Sequence, residues 1–107
     1  MRASDDRRTV RVRIKGLVQG VGYRAWTESN ARALGLGGWV RNWRDGTVEA
    51  LFCGSAGRVE EMLARSRQGP PGAVVEEVAV VEEEGSAPAG FAVLPTGDES
   101  KAGTSKS

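Results

Sequence analysis

A chain of 107 residues, 39% hydrophobic and 27% charged, has material for one modest core and no room for a second domain. Its 15 Lys and Arg against 14 Asp and Glu leave a net charge of +1, which creates no general field toward nucleic acid or an anionic membrane, so any anion site must be local. With no histidine and one cysteine, Cys53, the chain lacks the parts for a Ser-His-Asp triad, an intramolecular disulfide or the usual zinc sites.

The charged start, 1–7, and the polar end, 96–107, are expected to be flexible tails around one folded domain spanning 8–95. The start has no apolar core of a signal peptide and no stretch is long enough to span a bilayer; a cytoplasmic protein without a membrane partner is expected. Val10, Val12 and Ile14 alternate with Arg11, Arg13 and Lys15, which predicts a first strand with one buried and one solvated face. It runs into the glycine-punctuated loop from Gly16 to Gly22. A helix is expected from about Tyr23 to Leu34, with Tyr23, Thr27, Ala31 and Leu34 on one side and Gly35 as its stop.

Leu36 to Asn42 and Thr47 to Cys53 read as strands joined by a hairpin at Asp45-Gly46. Ser55 is the expected N-cap of a second helix, to about Arg67, in which Val59, Met62, Leu63 and Ser66 share a face. Val74 to Glu82 reads as a strand with both faces partly apolar, and Phe91 to Leu94 as a short final one. The order gives an α+β fold: a ferredoxin-like βαββαβ sandwich with two helices on one face of an antiparallel sheet and a short final strand. In that topology strands one and two run the same way with strand three between them. Lys15 and Asn42 then lie at one end of the sheet, about 10 Å apart by two strand spacings.

The loop Gln19-Gly20-Val21-Gly22-Tyr23-Arg24 joins a strand to a helix, where backbone N–H groups can converge on an anion. Arg24, in the first helical turn, opposes the helix dipole by about 0.3–1 kcal/mol, an objection that a bound phosphate would remove. Its guanidinium stays charged and can grip two phosphoryl oxygens at once. Taken alone, such a loop is equally a structural turn, and Asn42 at a strand end is equally a turn former. The glycines do not spell a P-loop or a dinucleotide fingerprint.

Lys15-Gly-Leu-Val-Gln-Gly-Val-Gly-Tyr-Arg24 resembles the first signature of the acylphosphatase family, and Gly38-Trp-Val-Arg-Asn-Trp-Arg-Asp-Gly-Thr-Val48 resembles the second, in the family's order and separation. The resemblance implies hydrolysis of acyl phosphates to a carboxylate and inorganic phosphate. It implies that Arg24 binds the phosphate, that Asn42 positions the attacking water, and that the backbone of Gln19, Gly20, Val21, Gly22 and Tyr23 cradles the phosphate oxygens. No metal or other cofactor is implied. The expected partners are a small-molecule acyl phosphate and inorganic phosphate, as product and competitive inhibitor, with no nucleic acid and a monomeric chain.

The remaining conspicuous residues have plain explanations. Trp39 and Trp43 fall on one strand face, where packing outweighs substrate stacking; Cys53 is a strand residue, and Glu82-Glu83-Glu84 a solvated strand end. Two other functions remain to be weighed. An RNA-binding module would display aromatics on its central strands, but Arg11 and Arg13 on the first and Glu49 on the third offer no such platform. A domain of a larger maturation enzyme would need further domains.

Overall fold

A computed structural model of the chain describes residues 6–83 and 89–98. The elements in order are β1 (Arg7–Leu17), α1 (Tyr23–Ala33), β2 (Gly37–Asn42), β3 (Val48–Ser55), α2 (Ala56–Gln68), β4 (Val74–Glu82) and β5 (Phe91–Val93). The strands form one sheet in the order β4-β1-β3-β2-β5. β3 pairs antiparallel with both β1 and β2, so that Ile14, Val48 and Asn42 form one row across the sheet. That row puts the end of β1 and the end of β2 side by side, as the ferredoxin-like order requires.

Alternation decides which face is buried. Val10, Val12 and Ile14 sit opposite Phe52, Ala50 and Val48, and all six are buried against the helices. α1 contributes Tyr23, Thr27 and Ala31 to that core, and α2 contributes Val59, Met62, Leu63 and Ser66, the faces expected from a period of 3.6. Phe52 stacks on Phe91 with ring centroids 5.9 Å apart, which anchors the short β5. Among the described residues no helix is long and apolar enough to cross a membrane.

The opposite face of the sheet is polar and laced with charge pairs. Arg11 bonds Glu83 and the buried Glu49 at 2.9 and 3.2 Å, and Trp43 Nε1 donates to Glu49 at 2.8 Å. Arg41 lies between Trp39 and Trp43, 5.9 and 5.2 Å from the two ring centroids, so these tryptophans pack under arginine. Glu82 belongs to a cluster at the sheet margin with Arg8 and Glu60. The hydrogen bonds from Arg8 hold the exposed Glu82 carboxyl below its ordinary pKa. Of the acidic strand end, Glu84 lies outside the described residues.

Two details differ from the sequence expectation. The sheet is antiparallel over β4-β1-β3-β2, but β5 pairs parallel to β2, which makes it mixed. A three-residue strand carries too little alternation to reveal its direction. Arg7, Gly97 and Asp98, placed in the tails by composition, also take part in the fold. β1 begins at Arg7, Gly97 N donates to the Asn42 carbonyl at 2.9 Å, and Asp98 pairs with Arg44 at 2.9 Å. Residues 1–5 and 99–107 lie outside the described residues.

Gly38 is a fixed point of this arrangement: its φ is +134°, and a Cβ built there would run into the carbonyl of Leu51 on β3. Gly38→Ala should therefore lower stability by about 2–4 kcal/mol through backbone strain and lost strand pairing. Gly57, in α2 with open space around its Cα, supplies the control: Gly57→Ala should be neutral or stabilising by up to about 1 kcal/mol. Urea midpoints of the two variants test the contrast, and equal midpoints would refute it.

Candidate active site

Beyond the Ile14-Val48-Asn42 row the chain turns from β1 into α1 and leaves an open cavity of about 480 Å³. Val18, Gln19, Gly20 and Gly22 form its loop wall, and Tyr23, Arg24, Ala25 and Glu28 its helix wall. Asn42 enters from β2 and Val93 from β5. Of the residues expected at the site, Arg24 and Asn42 therefore share one cavity with Gln19, Gly20, Gly22 and Tyr23. Val21 is not among the lining residues; its side chain packs against the core and lies near Gly72.

The loop is shaped by Gly22, the N-cap of α1, which has φ 79° and ψ 21° and no side chain with which to cap the helix. α2 makes the contrast, since Ser55 Oγ accepts from Arg58 N at its start. The opening N–H groups of α1, which have no intrahelical acceptors, are thus left at the cavity without a side-chain cap. The first turn carries no acidic residue. It carries Arg24 instead, whose Nη1 donates to the Leu94 carbonyl at 3.3 Å; among the described residues most of its five N–H donors have no other acceptor.

Asn42 is held by its backbone, while its side-chain oxygen is left without a partner among the described residues. Its carbonyl accepts from Gly97, and it pairs with Val48 on β3. Its Oδ1 is buried without a hydrogen-bond donor among the described residues. A buried acceptor in this condition costs about 1–3 kcal/mol unless a donor reaches it.

The side chain of Gln19 does what sequence reasoning did not anticipate. Its Nε2 donates to the Trp43 carbonyl at 2.7 Å and the Thr47 carbonyl at 2.9 Å, tying the loop to the β2-β3 turn. That turn is itself set by Asp45 Oδ1, which accepts from Thr47 N and Thr47 Oγ1 at 3.0 and 2.7 Å. Nothing in the spacing of Gln19 and Thr47 announces this contact. Tyr23 is buried, and its hydroxyl donates to the Ser66 carbonyl at 2.7 Å, pinning the start of α1 to α2. Cys53 lies along β3 from Val48 by about 17 Å of strand, with Thr9 Oγ1 at 3.1 Å from its sulfur, and does not line the cavity.

Residues 10–93 match the sequence profile of the Acylphosphatase family. An acylphosphatase of Rhizorhabdus wittichii is 50% identical over 91 residues, covering 85% of this chain and 92% of that protein. The solved acylphosphatase of Coxiella burnetii superposes with a TM-score of 0.80 at 31% identity, covering 83% of this chain and 94% of the other. A full-length HypF, solved in its phosphate- and nucleotide-bound form, gives 0.81 at 25% identity; it covers 89% of this chain, which spans 13% of that much longer protein.

Burial pushes the Tyr23 phenol up from its ordinary 10.0 to about 12, against a smaller lowering effect of the Ser66 side chain. The fold thus favours the neutral phenol, which contributes about 2–3 kcal/mol below the unfolded pKa and loses it as pH rises from about 10 to about 12. Tyr23 is the one tyrosine in the chain, so tyrosinate absorbance reports it directly. Its midpoint should lie near 12 in the folded protein and near 10 in concentrated urea, and a folded-state midpoint near 10 would contradict the buried contact.

Proposed function

The chain belongs to the acylphosphatase family and is an enzyme of that type, and we propose that it works through Arg24 as phosphate clamp and Asn42 as water holder. In this reading the substrate phosphate lies against the start of α1, its equatorial oxygens shared between the Arg24 guanidinium and backbone N–H groups from Gln19 to Tyr23. Water, donating to Asn42 Oδ1, directs a lone pair at phosphorus. The new P–O bond forms as the bond to the acyl oxygen breaks, and the carboxylate leaves with the electron pair. The water proton passes to a phosphate oxygen, giving inorganic phosphate.

An acyl phosphate is an activated anhydride with a good leaving group, so positioning and charge stabilisation carry the reaction. A strong side-chain acid or base is not required. The observation that carries this reading is the meeting of Arg24 and Asn42 in one cavity, beside a helix start with no side-chain cap, with the Asn42 Oδ1 lacking a donor among the described residues. A metal-independent reaction, competitive inhibition by phosphate, a monomeric chain without nucleic-acid or membrane partners, and a cytoplasmic location are parts of the same proposal. They are consistent with a chain of net charge +1 that has no histidine and a single cysteine.

Arg24→Ala should lower turnover of benzoyl phosphate on the order of 10²-fold or more while the fold survives, and Arg24→Lys should rescue poorly for want of the planar fork. Asn42→Ala should lose kcat yet still bind phosphate as a competitive inhibitor, which separates water positioning from phosphate binding. Near-normal turnover by folded Arg24→Ala, or equal loss of phosphate binding in both variants, would overturn the division of roles.

Dialysed enzyme should keep full activity in EDTA and after alkylation of Cys53, which lies far from the cavity. Loss of activity on chelation, restored by one divalent ion, would refute the metal-free mechanism.

A further inference from the structure

Arg24, Glu28 and Arg32 recur at intervals of four residues, so they form one stripe along α1. The stripe faces β5 and the residue after it: Arg24 Nη1 donates to the Leu94 carbonyl at 3.3 Å and Arg32 Nη2 to the Phe91 carbonyl at 3.0 Å. Between the two arginines, Glu28 pairs with Arg32 at 2.9 Å, its side chain 30% exposed. Arg24 makes no ion pair among the described residues, so Arg32 holds the Glu28 carboxylate while Arg24 keeps its charge for the cavity. Arg24 and Glu28 are the charged residues that line the cavity; Arg32 does not.

If the phosphate occupies the loop and Arg24, and the water occupies Asn42, the lining that remains is Ala25, Glu28 and Val93. A phosphate is far smaller than about 480 Å³, so the acyl group shares the cavity and meets this wall. We propose that Glu28 is a specificity-determining residue, a charge filter that disfavours acyl phosphates whose acyl group carries a second anion and admits neutral or cationic ones. The proposal rests on the reading of the site given above. With Arg24 engaged by the phosphate, an additional carboxylate on the acyl group would find no other cation in the lining, only the Glu28 carboxylate.

The test uses a pair of substrates matched in shape, 4-carbamoylbenzoyl phosphate and 4-carboxybenzoyl phosphate, with benzoyl phosphate as reference and each rate divided by its uncatalysed hydrolysis. In the wild-type chain kcat/KM for the carbamoyl compound should exceed that for the carboxylate by about 10-fold, as one like charge in a partly solvated cavity would produce. Salt should narrow the gap. Glu28→Gln should bring the ratio to within about twofold of unity, and Glu28→Lys should invert it, whereas Glu28→Asp should preserve its direction.

Arg32→Ala, which strips the counter-charge from Glu28 outside the cavity, should widen the ratio by about 2- to 3-fold. A ratio unchanged in Glu28→Gln, or equal loss of both substrates in that variant, would overturn the filter and leave Glu28 a structural partner of Arg32. Failure of the wild type to hydrolyse benzoyl phosphate itself would instead overturn the site reading on which the filter rests.

Discussion

The pairing of β3 with both β1 and β2 is the constraint on which the rest of the molecule depends. Because β3 lies between them in a single register, Ile14, Val48 and Asn42 stand in one row. Residues far apart in sequence are thereby brought within two strand spacings, about 10 Å. A shift of one residue on either side would turn Asn42 to the open face and Arg41 toward α1, since side chains alternate along a strand. The buried valines, Phe52 and Ala50 make such a shift costly, so the core that stabilises the sheet also positions the site.

Secondary ties then refine what the register has roughly placed. The Gln19 amide clamps the loop to two carbonyls of the β2-β3 turn. Tyr23 pins the first residue of α1 to the end of α2 through Ser66, and Gly97 holds the backbone of Asn42 from the other side. Each wall of the cavity is thus attached to an element other than its own. Such preorganisation favours charge stabilisation, because fixed dipoles need not reorganise as charge shifts in a transition state.

Electrostatics follow the same economy. With a net charge of +1, the chain places Arg24 at a helix start without a carboxylate partner among the described residues, while most other arginines lie against carboxylates and tryptophans. Arg24 would be mildly unfavourable at its position on stability grounds alone. The combination of an uncapped helix start, a cation that opposes the dipole and an acceptor without a donor leaves local interactions incomplete at one spot. Such conflicts between local preference and observed structure concentrate at functional sites.

Much of this was legible in the sequence, for reasons that differ from element to element. The alternation of Val10, Val12 and Ile14 and the helical spacing of Val59, Met62, Leu63 and Ser66 are local signals, set by backbone geometry, and they specified the core face directly. The glycines of the loop, the Asp45-Gly46 turn and the Ser55 cap are local too, and the two signature stretches contain Arg24 and Asn42, which the fold brings to one cavity. Tertiary structure alone decided what depends on contacts between distant segments. The direction of β5 could not be read from three residues. The clasp of Gln19 on Trp43 and Thr47, the drawing of Gly97 against β2, and the placement of Glu28 in the cavity wall were equally hidden. Periodicity and capping act over a few residues and are written in the order of side chains, whereas these contacts exist only once burial of the common core has brought separate pieces of chain together.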